Sequence, residues 1–208
     1  MQIQKTTMLP ALEKTIETAK NQDIAEDRKQ ILAPLIVYIQ GKLDQKADVN
    51  LNFICTHNSR RSQFSQIWAQ TAADYYGIPV KSFSGGVEVT AFNERAVASV
   101  KRSGFKVTSK GDTNPDYTVF HSDTHEGISL FSKLFDDPVN KSDHFAAVMT
   151  CSHADENCPF IPGAEKRIPV LYEDPKAFDD TPEEAKKYDE RSMQIAAEML
   201  YVFSKIRQ

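Results

Sequence analysis

Leu51-Asn52-Phe53-Ile54-Cys55-Thr56-His57-Asn58-Ser59-Arg60-Arg61-Ser62-Gln63 is the stretch from which the fold can be read. A short apolar run of strand character delivers Cys55, five residues intervene before Arg61, and a helical pattern then begins. The loop Thr56, His57, Asn58, Ser59, Arg60, Arg61, Ser62 therefore joins the carboxyl end of a strand to the N-terminus of a helix. Loop amides and the positive end of the helix macrodipole converge there, an arrangement that suits a tetrahedral oxyanion. A thiolate at Cys55 is a nucleophile aimed at that anion.

Holding a cysteine as its thiolate near neutral pH takes roughly 2 to 4 kcal/mol of differential stabilisation. A helix terminus supplies about 0.3 to 1 kcal/mol, and about 2 in a partly buried geometry. Amide hydrogen bonds and a neighbouring cation must supply the rest. Arg61 is the candidate, because its planar fork can also grip two oxygens of the anion. Asn58 and Ser62 can bond the loop amides or the sulfur, and Ser62 also suits the helix N-cap. The bland alternative is a buried cysteine that closes a core strand beside two solvated arginines.

Composition sets the frame around this loop. With 208 residues, 40% hydrophobic and 26% charged, the chain reads as one globular domain with an appendage. No apolar run is long enough for a membrane span, and no basic-then-apolar leader is visible, so the cytoplasm is the default expectation. A formal charge of −4 argues against a broad nucleic-acid surface and confines anion affinity to a local site. Three cysteines in a reducing compartment indicate chemistry or packing rather than a disulfide framework.

Residues 1 to 48 carry apolar residues at helical spacing, Met8, Leu9, Leu12 and Ile16 and then Ile24 to Leu43, with Pro34 expected to kink or split the second segment. This extension must be covered by the main domain, residues 49 to 208, or by a second copy in a homodimer. An anion-dependent binding module with this arm as partner surface is a further, non-enzymatic reading. From residue 50 short apolar strands alternate with helices, which predicts an α/β fold: a parallel sheet with helices on both faces. Strands are expected at 51–54, 80–83, 146–150 and 167–172, and helices at 62–76, 92–103 and 182–205, the last with Thr181 as cap and Pro182 at its first position. Ligands of such sheets bind outside the carboxyl ends of the strands, where Cys55, Cys151 and the residues after Tyr172 converge.

Ser84-Gly85-Gly86 ends the second strand, and its glycines allow a close backbone approach to the loop. Residues 106 to 142 are turn-rich, with a short strand at 117–120. His121, Asp123 and His125 there have a spacing open to a metal, but a solvated irregular loop is the expectation, with no metal or cofactor. Cys151 and Cys158 follow a strand with six residues between them, a separation that a deformable turn could close; zinc binding lacks further ligands. Asp174, before Pro175 at a strand end, is placed to donate a proton to a leaving oxygen, with Glu173 the weaker candidate.

The segment from Cys55 to Ser62 resembles the phosphate-binding loop of low-molecular-weight protein tyrosine phosphatases and of the thioredoxin-coupled arsenate reductases that share their fold. The resemblance spans roughly residues 49 to 206 and leaves the first 48 unmatched. It implies a three-layer αβα domain with a four-stranded parallel sheet, a supporting role for Ser84, and Asp174 as the acid of an Asp-Pro pair. His57 stands where the family usually has glycine, and Arg60 where it usually has a second cysteine. Cys151 and Cys158 match the arsenate reductases' cysteine pair, which the tyrosine phosphatases do not need. The implied reaction is a relay: Cys55 attacks arsenate, Cys151 attacks Cys55 with release of arsenite, and Cys158 draws the disulfide away for reduction by thioredoxin. The implied alternative is hydrolysis of phosphomonoesters through a phosphocysteine at Cys55.

Overall fold

A computed structural model of the chain describes residues 6–140, 143–157 and 160–207. Its elements run α1 (Pro10–Lys20), α2 (Glu26–Asp44), β1 (Val49–Cys55), α3 (Arg61–Tyr76), β2 (Val80–Gly86), α4 (Glu94–Arg102), β3 (Lys106–Lys110), β4 (Asp116–Phe120), β5 (Ile128–Leu130), β6 (Phe145–Met149), α5 (Ser152–Asn157), β7 (Ala164–Pro169) and α6 (Glu184–Ser204). The main sheet is parallel throughout, in the order β2-β1-β6-β7. This is the α/β architecture that the alternating pattern predicts.

Strand periodicity divides the interior between the two faces. Val49, Leu51 and Phe53 of β1 and Ala146 and Val148 of β6 enter the larger core, with α1, α2, α3 and α6. Ile54 and Cys55, with Phe145, Ala147 and Met149, face a smaller core closed by Ala154 of α5 and Ile161. Cys55 thus belongs to the thinner side of the sheet. Helix α3 packs in the larger core and is buried almost all round, its polar residues Ser62, Gln63, Ser65, Gln66 and Thr71 included.

The N-terminal helices are covered by the chain itself. Leu12, Ile16 and Ala19 of α1 and Leu32, Leu35 and Ile39 of α2 are buried in the same core as α6. Arg28 of α2 forks onto Glu198 of α6, Nε to Oε1 at 2.8 Å and Nη2 to Oε2 at 2.9 Å. Pro34 does not split α2, because the fully buried Leu32 and Leu35 hold the helix on either side of it. Helix α6 begins at Glu184 rather than at the expected 182. Thr181 does not cap it; its hydroxyl donates to the Phe178 carbonyl at 2.7 Å.

The turn-rich segment folds as an antiparallel β3-β4-β5 sheet, of which only β4 was expected. Among the described residues no helix is long and apolar enough to cross a membrane.

Candidate active site

Parallel pairing brings the site together. Cys55 is in register with Gly86 of β2, and the Thr150 amide donates to the Ile54 carbonyl at 2.8 Å, so Cys151 follows directly beside the end of β1. The Tyr172 amide donates to the Thr150 carbonyl at 3.1 Å and brings Asp174 to the same edge. A side chain at Gly86 would strike the Asn58 nitrogen and the Thr56 carbonyl at 2.7 and 2.8 Å, the close approach that its sequence position suggests.

The loop backbone is held from outside. The Thr56 carbonyl accepts from the amides of Val87 and Glu88 (2.8 and 2.9 Å), and the His57 carbonyl from the hydroxyls of Ser132 and Thr90 (2.8 and 3.3 Å). The Asn58 carbonyl accepts from Gln63 Nε2 (2.9 Å) and the Ser59 carbonyl from the Asn93 amide (3.0 Å). In a planar trans peptide the following N–H points away from the carbonyl, so the amides of His57, Asn58, Ser59 and Arg60 turn to the opposite side. Among the described residues none of the four amides has an acceptor, an arrangement that suits an oxyanion.

The two departures at the loop have structural answers. The positive φ that closes it falls on Asn58 (46°), a residue that tolerates the left-handed region, so His57 needs no glycine freedom. His57 lies at the surface, with Nε2 3.1 Å from Glu88 Oε2. Arg60 is turned away from the sulfur: its Nε donates to Tyr188 Oη (2.7 Å), whose own hydroxyl donates to Asp179 (2.7 Å). Burial and the adjacent Asp179 push the Tyr188 phenol up, so it remains a neutral bridge.

Ser62 is not the N-cap, since Arg60 occupies that position and α3 begins at Arg61. Instead Ser62 Oγ lies 3.0 Å from Cys55 Sγ. Asn58 Nδ2 donates to the same oxygen at 2.9 Å, which frees the Ser62 hydrogen for the sulfur. Ser84 acts one step removed. Its hydroxyl bonds Gln66 Oε1 (2.6 Å) and lies 3.4 Å from Gln63 Oε1, and Gln63 in turn holds the Asn58 carbonyl. The two glutamines escaped sequence reasoning, although polar residues on every face of a helix between two strands were a signal.

Arg61 donates from Nη1 to the Tyr172 carbonyl (3.0 Å) and from Nη2 to Asp174 Oδ2 (2.8 Å), while its buried Nε has no partner among the described residues. Asp174 also caps the short 3₁₀ turn Pro175–Phe178, Oδ1 accepting from the Lys176 amide at 3.1 Å. Glu173 points outward, toward Arg191.

Cys151, 1% exposed, contacts the loop through Thr56, whose Oγ1 is 3.4 Å from its Sγ and 3.3 Å from His153 Nδ1. Both Cys55 and Cys151 are free thiols in the smaller core. Cys158 lies outside the described residues. Two thiols, one arginine and one carboxyl therefore gather at a single sheet edge.

No protein-family model matches the chain. It is 32% identical over 143 residues to the arsenate reductase of Brevibacillus brevis, a match that covers 69% of this chain and 88% of that protein. Against the arsenate reductase of Staphylococcus aureus (strain Newman) it is 30% identical over 124 residues, covering 59% and 76%. A solved low-molecular-weight protein tyrosine phosphatase from T. tengcongensis superposes with a TM-score of 0.47 at 16% identity, covering 76% of this chain and 97% of that one.

Proposed function

Because this chain belongs to the arsenate reductase family, we propose that it reduces arsenate to arsenite through Cys55, Cys151 and Cys158, with thioredoxin as the dithiol reductant. The amides of residues 57 to 60 and the Arg61 fork hold the oxyanion. The Cys55 thiolate attacks arsenic, and the displaced oxygen leaves as water with a proton from Asp174. Cys151 then attacks Cys55 Sγ. As the new S–S bond forms, the electron pair of the S–As bond stays on arsenic, which leaves as arsenite. Cys158 attacks Cys151 and returns Cys55 as a thiolate, and an external dithiol reduces the Cys151–Cys158 disulfide.

The observation that supports this reading above the others is the Thr56 contact, which holds the second thiol against the residue next to the nucleophile. A hydrolase has no use for a thiol there. The test is arsenate-dependent NADPH oxidation with thioredoxin and thioredoxin reductase. Cys151→Ser and Cys158→Ser should each abolish steady turnover, and unchanged turnover in both would sink the relay.

The second reading is phosphomonoester hydrolysis through a phosphocysteine, and the Asp174 carboxylate on the Arg61 fork serves it equally. Aryl phosphate hydrolysis that survives loss of both Cys151 and Cys158, without arsenate turnover in the intact chain, would favour it.

A further inference from the structure

We propose that Asp74, His121 and His125 form a binding site for one first-row divalent transition-metal ion of zinc type, at the opposite end of α3 from the anion loop. Asp74 lies in the last turn of α3, thirteen residues from Arg61, about 20 Å along the helix axis. His121 follows β4 directly, and His125 comes from the loop that leads to β5. Among the described residues this is the one grouping whose side chains could jointly hold a metal ion, with all three ligand atoms within 4.8 Å of one another.

The geometry fits an ion better than it fits a hydrogen-bonded pair. His121 Nε2 is 3.0 Å and His125 Nε2 3.5 Å from Asp74 Oδ2. Nitrogen and oxygen ligands at about 2.0 to 2.2 Å from a tetrahedral ion stand roughly 3.3 Å apart, the spacing those contacts bracket. His121 is fully buried, yet among the described residues neither of its ring nitrogens makes a hydrogen bond of acceptable geometry, and neither does Asp74 Oδ2. Three buried polar atoms at one point without a hydrogen bond of good geometry are rare in a folded chain unless something else satisfies them. Asp74 Oδ1, by contrast, accepts from Gln70 Nε2 at 3.1 Å, which fixes the carboxylate and leaves Oδ2 facing the imidazoles.

The donor set names the class of ion. Two imidazoles and one carboxylate suit zinc and its neighbours rather than magnesium or calcium, which take oxygen ligands. Three protein ligands, with the His125 side chain 32% exposed, leave an open position for water. His125 Nδ1 accepts from the Gly127 amide at 3.0 Å, which places its proton on Nε2. Ligation through Nε2 moves that proton to Nδ1 and ends the Gly127 contact, so the Gly127 amide reports on binding.

Sequence spacing suggested Asp123 as the carboxylate of this cluster. Asp123 is instead an exposed partner of Lys106, and the ligand comes from α3. The ion would staple α3 to the β3-β4-β5 segment, and through the His121 carbonyl, which accepts from the Leu9 amide at 2.9 Å, to the start of α1.

The experiment is a titration of the full chain with Co²⁺ followed by visible absorption, where sulfur ligation would show as intense charge-transfer bands, and with Zn²⁺ followed by calorimetry. One ion per chain is expected, with the spectrum of a nitrogen- and oxygen-ligated centre and a shifted Gly127 amide resonance. His125→Ala, on a partly exposed loop, and Asp74→Asn, which keeps its shape, should each weaken binding by about tenfold or more. His144→Ala, at an exposed histidine outside both sites, should leave metal affinity and stoichiometry unchanged. Absence of saturable binding, or a smaller loss in both Asp74→Asn and His125→Ala, overturns the site, and leaves His121 and Asp74 as a plain buried pair. The anion-loop chemistry is not at stake in either outcome.

Discussion

Arg61 and Asp174 hold each other across the mouth of the anion loop, Nη2 to Oδ2 at 2.8 Å, while Nη1 is tied to the Tyr172 carbonyl. The fork is thereby fixed in plane before any oxyanion arrives, and its buried Nε has no acceptor among the described residues. A lysine ammonium cannot reproduce two parallel bonds from a held plane. Arg61→Lys is therefore expected to lower kcat/KM for arsenate by about 100-fold or more, the usual effect of losing one preorganised donor to developing charge. Initial rates of arsenate reduction measure it, and a loss below about tenfold would mean that another group grips the anion.

The sulfur has its own donor. Ser62 receives the Asn58 amide hydrogen on its oxygen and so presents its hydroxyl hydrogen to Cys55 at 3.0 Å. A hydrogen bond to a charged acceptor contributes about 1.5 to 3 kcal/mol. Ser62→Ala is expected to slow alkylation of Cys55 by iodoacetamide near neutral pH by about tenfold, with the secondary structure intact. Mass spectrometry of the quenched reaction follows this, and an unchanged rate would assign the sulfur's environment to the loop amides alone.

What could be read before the structure was what is local. A strand that delivers a cysteine to a loop and helix is written in consecutive residues, as are the apolar runs that became β1, β2 and β6. The reading failed where partners lie far apart in the chain. β3 shows only exposed or half-exposed residues such as Lys106, Thr108 and Lys110, and exists because β4 pairs with it. Ser62 is open in the sequence both to the cap position and to the Cys55 sulfur, and only the start of α3 at Arg61 decides for the sulfur. Thr181-Pro182 had helix-start chemistry, yet the turn after Asp174 uses the Thr181 hydroxyl first. The Asp74–His121 approach could not be found from spacing at all.

Arg28 ties the N-terminal extension to the same edge of the sheet. Its fork on Glu198 is completed by the Tyr172 hydroxyl, which donates to Glu198 Oε2 at 2.7 Å, and by Gln194, which donates to Oε1 at 3.0 Å. Glu198 is 2% exposed, so removal of the arginine leaves a buried carboxylate with only neutral donors. Arg28→Met is expected to cost about 3 kcal/mol in urea unfolding, while Arg28→Met combined with Glu198→Gln should regain most of it. Equal losses in the single and double variants would show that the packing of α2, not the charge pair, is what the substitution disturbs. Because the Tyr172 carbonyl also holds Arg61, the single variant should lose arsenate turnover as well.

Lys133 gives a pH dependence whose sign can be stated. Its backbone holds the site, the amide donating to Asn58 Oδ1 (3.1 Å) and the carbonyl accepting from Gly86 (2.8 Å), and this fixes a side chain that is 3% exposed over the Phe131 ring. Burial pushes the ammonium down to about 8, against roughly 10.4 in an unfolded chain. Below the folded value both states hold the proton and the whole desolvation penalty is present. Between the two values the unfolded chain binds more protons, so the penalty fades as pH rises. Lys133→Met is accordingly expected to stabilise the protein by about 3 kcal/mol near pH 7, with the gain falling toward zero by about pH 10.5. Differences between variant and parent in urea midpoints across that range isolate this group from others that titrate there. A gain that does not change with pH would trace the effect to better packing, and destabilisation near pH 7 would mean that the charge over Phe131 is favourable where it lies.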